Sequence, residues 1–407
     1  MSANALQSSG DQAVNASTVL PWLFAVLGVP SALTGVLVPI RESGSMLPQA
    51  LLTPLILRVR RRKWVFVAGA LVQAIAVAVM AATAALATGL VAGVVIIATL
   101  TVFALGRCLC SIASKDVQGR TVPKGERGQI NGLATTAAGL VAITLGLGIR
   151  LVGGEDLTAG QLAWLLAGGA AAWVLAATVY ATIREPTDDP TAAGKGDRPG
   201  PGASTGFAGV VRLLREDVAF RNFVTVRSLL LVSALSPPFV VTLSIQYGAA
   251  SLAGLGGFVV AAGLARLLGG RLFGRLADRS SRLLMSVGAA VASVIVTLTV
   301  LVVALPGFTG AQRWGNLFFV AVYFALTLMH TGVRVGRKTY VVDMAEGDRR
   351  TTYVAVANSV LGVVLLVVGG LSSLLALAGV SWALVFLAAM GFVGVFAGAR
   401  LPDVSRG

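Results

Sequence analysis

Apolar runs of about twenty residues recur along the whole chain, separated by short polar links. A helix rises 1.5 Å per residue and must cover about 30 Å of hydrocarbon, so roughly 20 apolar residues make one membrane crossing. On that measure the pattern predicts twelve crossings, at about 18–40, 43–57, 64–88, 90–113, 128–152, 160–183, 222–247, 249–274, 283–306, 314–336, 351–376 and 380–401. Small residues dominate several of them, as in Ala68 to Ala87 and Gly254 to Gly274. Such residues let helix backbones approach closely where lipid supplies no hydrophobic drive for association. The expected fold is an all-α polytopic bundle.

The pattern lapses between the sixth and seventh runs. Arg184 to Gly206 is rich in proline, glycine and aspartate and contains nothing that could form a core, which predicts a flexible linker. After it, Val210, Val211, Leu213, Leu214, Val218 and Phe220 alternate with Arg212, Arg215, Glu216, Asp217 and Arg221, an amphipathic pattern suited to the bilayer surface. The chain is therefore expected to comprise an N-terminal tail (1–17), a six-helix bundle (18–183), a linker with an amphipathic segment (184–221), a second six-helix bundle (222–401) and a C-terminal tail (402–407). A weak internal repeat supports two equivalent halves. Lys115, Gly125, Glu126 and Arg127 correspond to Arg337, Gly347, Asp348 and Arg349 at an offset of 222, and Arg60, Lys63 and Gly69 to Arg279, Arg282 and Gly288 at an offset of 219. Duplicated halves about an axis along the membrane normal are a transporter architecture.

Composition agrees: 56% of residues are hydrophobic and only 12% charged, outside the range of soluble globular domains. The net charge of +15 would point to nucleic acid in a soluble protein. Here all but Arg41, Arg150 and Arg313 of the 32 Lys and Arg residues lie in or nearest to every second link between runs. That alternation marks retained cytoplasmic loops and argues against a nucleic-acid partner. It places both termini in the cytoplasm and the protein in a cell membrane, and the excess of Arg, Ala, Val and Gly fits a high-GC bacterium. Met1 to Ser17 contains no Lys or Arg, and the run that follows is too long for a signal peptide. Cys108 and Cys110 stand two apart inside an apolar run, pointing to different sides of a helix, so neither a disulfide nor a metal site is expected. No cofactor is expected either. The chain has a single histidine, no carboxylate cluster within the runs and no phosphate-binding glycine loop, which argues against a metalloenzyme and against nucleotide-driven pumping.

Gly274-Arg275-Leu276-Ala277-Asp278-Arg279-Ser280-Ser281-Arg282 resembles the signature loop of the major facilitator superfamily of secondary transporters: Gly, three residues, Asp-Arg and a further basic residue. The resemblance extends over nearly the whole chain. In the first half the corresponding loop, Pro54 to Lys63, keeps its basic residues but has Val59 where the family pattern has Asp. The resemblance implies a conformational lock formed by Gly274, Asp278, Arg279 and Arg282, in which Asp278 engages the start of the fifth span near Gly128 when the cytoplasmic side is closed. A solvated aspartate in a basic loop is the plainer alternative. Arg107, about 12 Å deeper along its helix than Lys115, looks like the arginine that many exporters of the family carry on the fourth span.

Ionisable residues inside the runs are costly and usually face a cavity or a partner. The candidates for a solute and proton pathway are Glu42 and Gln49 near the junction of the first two runs, Arg107, Arg227, His330 and, one turn from it on the same face, Arg334; Arg266 on the eighth run is a further embedded cation. Glu42 and His330 are the proton-coupling candidates. Ser236-Pro237-Pro238 removes two backbone donors from the seventh run and predicts a bend or break there, with Ser236 and Pro237 at the pathway. Together these features predict a monomeric, proton-coupled carrier that exports a small organic solute by alternating access. The competing readings are uptake of an anionic or neutral metabolite and a non-transporting scaffold or sensor with the same fold.

Overall fold

The computed structural model describes residues 2–48, 61–121, 139–144, 146–148, 158–183, 207–248, 252–344 and 348–402, with isolated positions at 52, 56 and 59. Its helices are α1 (Ser2–Ala13), α2 (Val19–Val26), α3 (Leu37–Met46), α4 (Lys63–Leu86), α5 (Gly89–Thr121), α6 (Ala159–Ala181), α7 (Phe207–Glu216), α8 (Val218–Leu229), α9 (Val232–Gln246), α10 (Leu252–Arg279), α11 (Ser281–Val303), α12 (Arg313–Asp343), α13 (Asp348–Ala378) and α14 (Val380–Ala399). A 3₁₀ segment, Ser31–Val36, precedes α3. Eight stretches among the described residues are long and apolar enough to cross a membrane, and they answer to the third, fourth, sixth, seventh and ninth to twelfth predicted runs. The helical residues 139–144 and 146–148 fall in the fifth run, and α10 contains the eighth. Their outward faces carry exposed Leu, Val and Phe side chains, as lipid contact requires. Trp164, Trp314 and Trp382 stand exposed at the starts of α6, α12 and α14, a belt at one interface.

The first two crossings differ from the expectation. The run 18–40 is not one crossing: α2 ends at Val26, the chain turns through Gly28 at φ +70°, and Pro30 caps the 3₁₀ segment that starts the way back. The Gly89 N–H donates to the Leu27 carbonyl at 2.7 Å, so this turn sits at the same end of the bundle as the α4–α5 turn. The first crossing is therefore α1 plus α2 and the second is the 3₁₀ segment plus α3. Residues expected to form a tail instead include a helix packed along α6, with Ala13, Val14 and Ala16 buried in the core. The physical reason is that hydropathy is continuous through a turn whose polar backbone groups are satisfied internally.

The seventh crossing is also broken elsewhere than expected. Helix α9 runs continuously through Pro237 and Pro238, and the interruption lies at Leu230–Leu231, between α8 and α9. A proline ring clashes with the carbonyl four residues earlier, so Pro237 and Pro238 act on Ser233 and Ala234. The strain is released at the N-terminal side of the prolines.

Sequence-equivalent residues do equivalent work in the two halves. Lys63 Nζ donates to the carbonyls of Ala181 and Ile183, both at 2.8 Å, at the end of α6. Arg282 Nη1 donates to the carbonyls of Ala399 and Leu401 at 3.3 and 2.8 Å, at the end of α14. Each closes the basic end of its half by satisfying orphan carbonyls of the last helix. Gly69 and Gly288 mark the close approaches of α4 to α5 and of α11 to α12: a Cβ on Gly69 would stand 2.7 Å from the Gly106 carbonyl oxygen, and one on Gly288 3.0 Å from Val333. Short helix α7 keeps Val210, Leu213 and Leu214 against the core, as its amphipathic pattern predicts.

The halves meet from the end away from the basic loops to about the midplane. Thr242 Oγ1 donates to Thr34 Oγ1 at 3.4 Å, Ser43 Oγ to the Gly362 carbonyl at 2.7 Å, and Trp22 packs on Phe258 with ring centroids 5.9 Å apart. The fifth and eighth crossings touch through glycine, where a Cβ on Gly146 would stand 2.9 Å from the Gly256 carbonyl oxygen.

Candidate translocation site

The centre of the charged region is Asp11, a residue absent from the sequence-based candidates. It lies in the last turn of α1, immediately before the irregular residues 14–18 that separate α1 from α2. Asn15 holds that break: its Oδ1 accepts from the Ser17 N–H at 2.9 Å and its Nδ2 donates to Gln12 Oε1 at 3.2 Å. Irregular backbone at membrane depth is tolerated where it lines a cavity or is enclosed by protein. Two cations converge on one carboxylate oxygen. Arg107 Nη1 on α5 donates to Asp11 Oδ1 in a close ion pair, and Arg41 Nη2 on α3 donates to the same oxygen at 3.1 Å. Three separate crossings thus supply one ionic cluster.

Glu42 is corrected from a loop position to the middle of the second crossing, because the turn lies at Gly28 and not at Arg41. It is half-buried on α3 and within electrostatic reach of Arg41, Arg107 and Arg337. Arg41, which is not among the sequence-based candidates, is the second clamp on Asp11. From the C-terminal half, Arg266 on α10 lies within electrostatic reach of Asp11, Arg107, Arg334 and Tyr323. His330 on α12 is half-buried, with Nδ1 enclosed and lacking a hydrogen-bond partner, and it faces the fields of Arg266, Arg334 and Arg337. Arg334 follows one turn later, exposed.

Arg107, Arg266, His330 and Arg334 are thus brought to one region. Arg227 is not part of that cluster; it is buried in the C-terminal half with Nη2 on Asn358 Oδ1 at 2.8 Å. Ser236 and Pro237 are wholly enclosed in α9, and the Ser236 hydroxyl has no hydrogen-bond partner. Of the expected lock, Arg282 is engaged within its own half, Arg279 is exposed, and a Cβ on Gly274 would meet nothing within 4 Å. Gln49, the side chain of Asp278 and the start of the fifth span near Gly128 lie outside the described residues. Asp11 had one signal in the sequence: a supposed cytoplasmic segment of 17 residues without a single Lys or Arg, in a chain of net charge +15.

Chemically, the arrangement can hold an anion. A carboxylate or phosphate entering between the halves would meet guanidinium groups from both sides, and on the N-terminal side it would compete with the protein's own Asp11, which occupies Arg41 and Arg107 as an internal anion.

The sequence pattern described as the Major Facilitator Superfamily matches residues 3–309. No curated protein matches the sequence. Among solved structures, a D-xylose-proton symporter is similar with a TM-score of 0.72 at 13% identity, over 100% of this chain and 97% of that one. The nucleoside transporter NupG gives 0.71 at 12% identity, over 98% and 97%. A POT peptide transporter gives 0.72 at 12% identity, over 100% and 94%. At these identities the likeness is one of fold.

Proposed function

The chain belongs to the major facilitator superfamily, and from that premise we propose that it is a proton-coupled carrier of a small anionic organic solute. The transport function itself goes with the family; the solute class and the coupling are our reading. The observation that carries it is the charge balance of the cleft. Arg41 and Arg107 face Asp11 and Glu42, and Arg266, with Arg334 beside it, adds positive charge from the other half. An embedded cation costs about 2.5–3.5 kcal/mol on insertion scales, and a cleft that retains an excess of them is matched to a ligand bringing negative charge. A neutral sugar or an organic cation would leave that excess uncompensated.

The coupling follows from competition. An anionic solute that engages Arg41 and Arg107 displaces Asp11, and a carboxylate so released into a low-dielectric site takes up a proton rather than stay charged and unpaired. Glu42 flanks the cluster and is the next acidic group along the path. A neighbour of the same fold is described as a proton symporter, which supports coupling to protons. Because solute and proton bind together, this coupling is symport; the export direction expected from the likeness of Arg107 to the fourth-span arginine of family exporters would instead need solute and proton to compete. The basic ends, including the Asp278 loop as a lock, then face the cytoplasm of a bacterial cell in which the protein acts as a monomer.

The test is transport in proteoliposomes under an imposed pH gradient, with carboxylate and phosphate solutes beside neutral and cationic ones of similar size. Accumulation of an anion that reverses when the gradient is reversed is expected. Movement of neutral or cationic solutes alone, or of nothing at all while lipid is still bound specifically, would overturn the reading.

A further inference from the structure

A second concentration of positive charge lies within the C-terminal half, away from Asp11. Phe223 on α8 and Tyr340 on α12 stack with ring centroids 4.9 Å apart and planes 11° off parallel. Arg227 follows Phe223 by four residues, and Arg337 precedes Tyr340 by three. The helices run in opposite directions, so both steps lead one turn from the stack toward the midplane and bring the two arginines abreast. They are 8% and 7% exposed and within electrostatic reach of each other.

Among the described residues no counter-charge is committed to this pair. Arg227 Nη2 has the neutral Asn358 amide oxygen at 2.8 Å. The Nε of Arg227 and the Nε and Nη1 of Arg337 are buried with no hydrogen-bond partner. The carboxylates around them are occupied or distant: Asp217 accepts from the Tyr353 hydroxyl and the Phe220 N–H, Asp343 is exposed at the end of α12, and Glu42 reaches Arg337 from the other half without an ion pair among the described residues. Leaving a buried charged donor unmatched is costly, and two like charges side by side add to that cost.

We propose that Arg227 and Arg337, with the Asn358 side chain alongside, form a second anion site that takes a tetrahedral oxyanion, a phosphate group either free or carried on a lipid headgroup. Desolvated N–H donors approach from two helices, and a phosphate can accept from both where a halide could not satisfy three donors in different directions. Bound there, the anion neutralises the pair and ties α8 to α12 beside α13. The site uses none of Asp11, Arg41 or Arg107, so it stands or falls independently of the solute reading above.

Thermal unfolding of the purified full-length protein tests it, with inorganic phosphate titrated against chloride at constant ionic strength. The midpoint is expected to rise with the logarithm of phosphate concentration, to lose most of that rise in Arg337→Gln and Arg227→Gln, and to keep most of it in Arg107→Gln, where Asp11 already competes as an internal anion. Equilibrium dialysis of radiolabelled phosphate covers the event that a Gln variant does not fold. Arg337→Lys keeps the charge but not the fork of donors, and is expected to weaken phosphate binding several-fold. In a second arm, delipidated protein is placed in phosphatidylcholine nanodiscs with and without phosphatidic acid, in phosphate-free buffer. Stabilisation by phosphatidic acid that added phosphate does not displace assigns a lipid source; stabilisation by phosphate alone assigns the free ion. Stabilisation by neither, or phosphate stabilisation lost in Arg107→Gln and retained in Arg337→Gln or Arg337→Lys, overturns the proposal.

Discussion

Arg107 donates to Asp11 across 96 residues of sequence, joining the fourth crossing to the first at a point where Arg41 of the second crossing binds the same oxygen. One carboxylate therefore pairs with two half-buried cations and leaves a net positive charge at the cluster.

Asp11→Asn removes that pairing while keeping the side-chain shape. Breaking a fully buried ion pair from one side costs about 3–5 kcal/mol and this part-buried one less, so the unfolding midpoint should fall, and an anionic solute should restore part of it by replacing the lost charge. Solute binding to the wild-type protein should tighten as pH falls, because binding takes up a proton. In Asp11→Asn that pH dependence should vanish. Isothermal titration at two pH values reads both; a pH slope unchanged in the variant places the coupling elsewhere.

Ser43 and Gly362 join the halves through a 2.7 Å hydrogen bond. Ser43→Cys combined with Gly362→Cys is expected to cross-link under oxidation and hold the halves together near the midplane. Transport should stop on oxidation and return with reductant, while either single variant remains insensitive to redox conditions.

Lys63 and Arg282 each satisfy two carbonyls at the end of their own half. A charge-assisted hydrogen bond contributes about 1.5–3 kcal/mol when buried and less at an interface, so Lys63→Met and Arg282→Met should each cost about 1 kcal/mol. Both should leave solute affinity unchanged. A loss of affinity in Arg282→Met without loss of stability would make Arg282 part of the lock instead of a cap.

Gly69 and Gly288 are equivalent in sequence but not in tolerance. A Cβ at Gly69 meets the Gly106 carbonyl at 2.7 Å, which is backbone and cannot step aside, whereas at Gly288 the nearest atom is a methyl of Val333 at 3.0 Å. Gly69→Ala should therefore cost about 1–3 kcal/mol by overpacking, and Gly288→Ala distinctly less. Unfolding midpoints of the two variants decide it.

Asp278→Asn tests the lock implied by the loop from Gly274 to Arg282. Correctly inserted protein with a several-fold loss of transport is expected, and unchanged transport removes the idea.

Much of the bundle was legible in the residues because its controls are local. The length of each apolar run sets a crossing wherever polar punctuation bounds it, as between Leu86 and Gly89. The pairs Lys63 with Arg282 and Gly69 with Gly288 declare two equivalent halves, since a capping cation and a close helix approach need particular residue types at particular places. The turn at Gly28 escaped for an equally physical reason: Leu27, Val29 and Pro30 are apolar, and the turn's backbone partner, the Gly89 N–H, comes from another crossing.

The sequence alone thus determined that lipid surrounds this chain, how many times it crosses, and that its halves are related. What makes a site, the convergence of Asp11, Arg41 and Arg107, was decided only in the tertiary structure. Hydropathy scores each residue against solvent, whereas the cost of a buried charge depends on which partner stands within about 4 Å of it, and those partners come from crossings that meet only when the bundle packs.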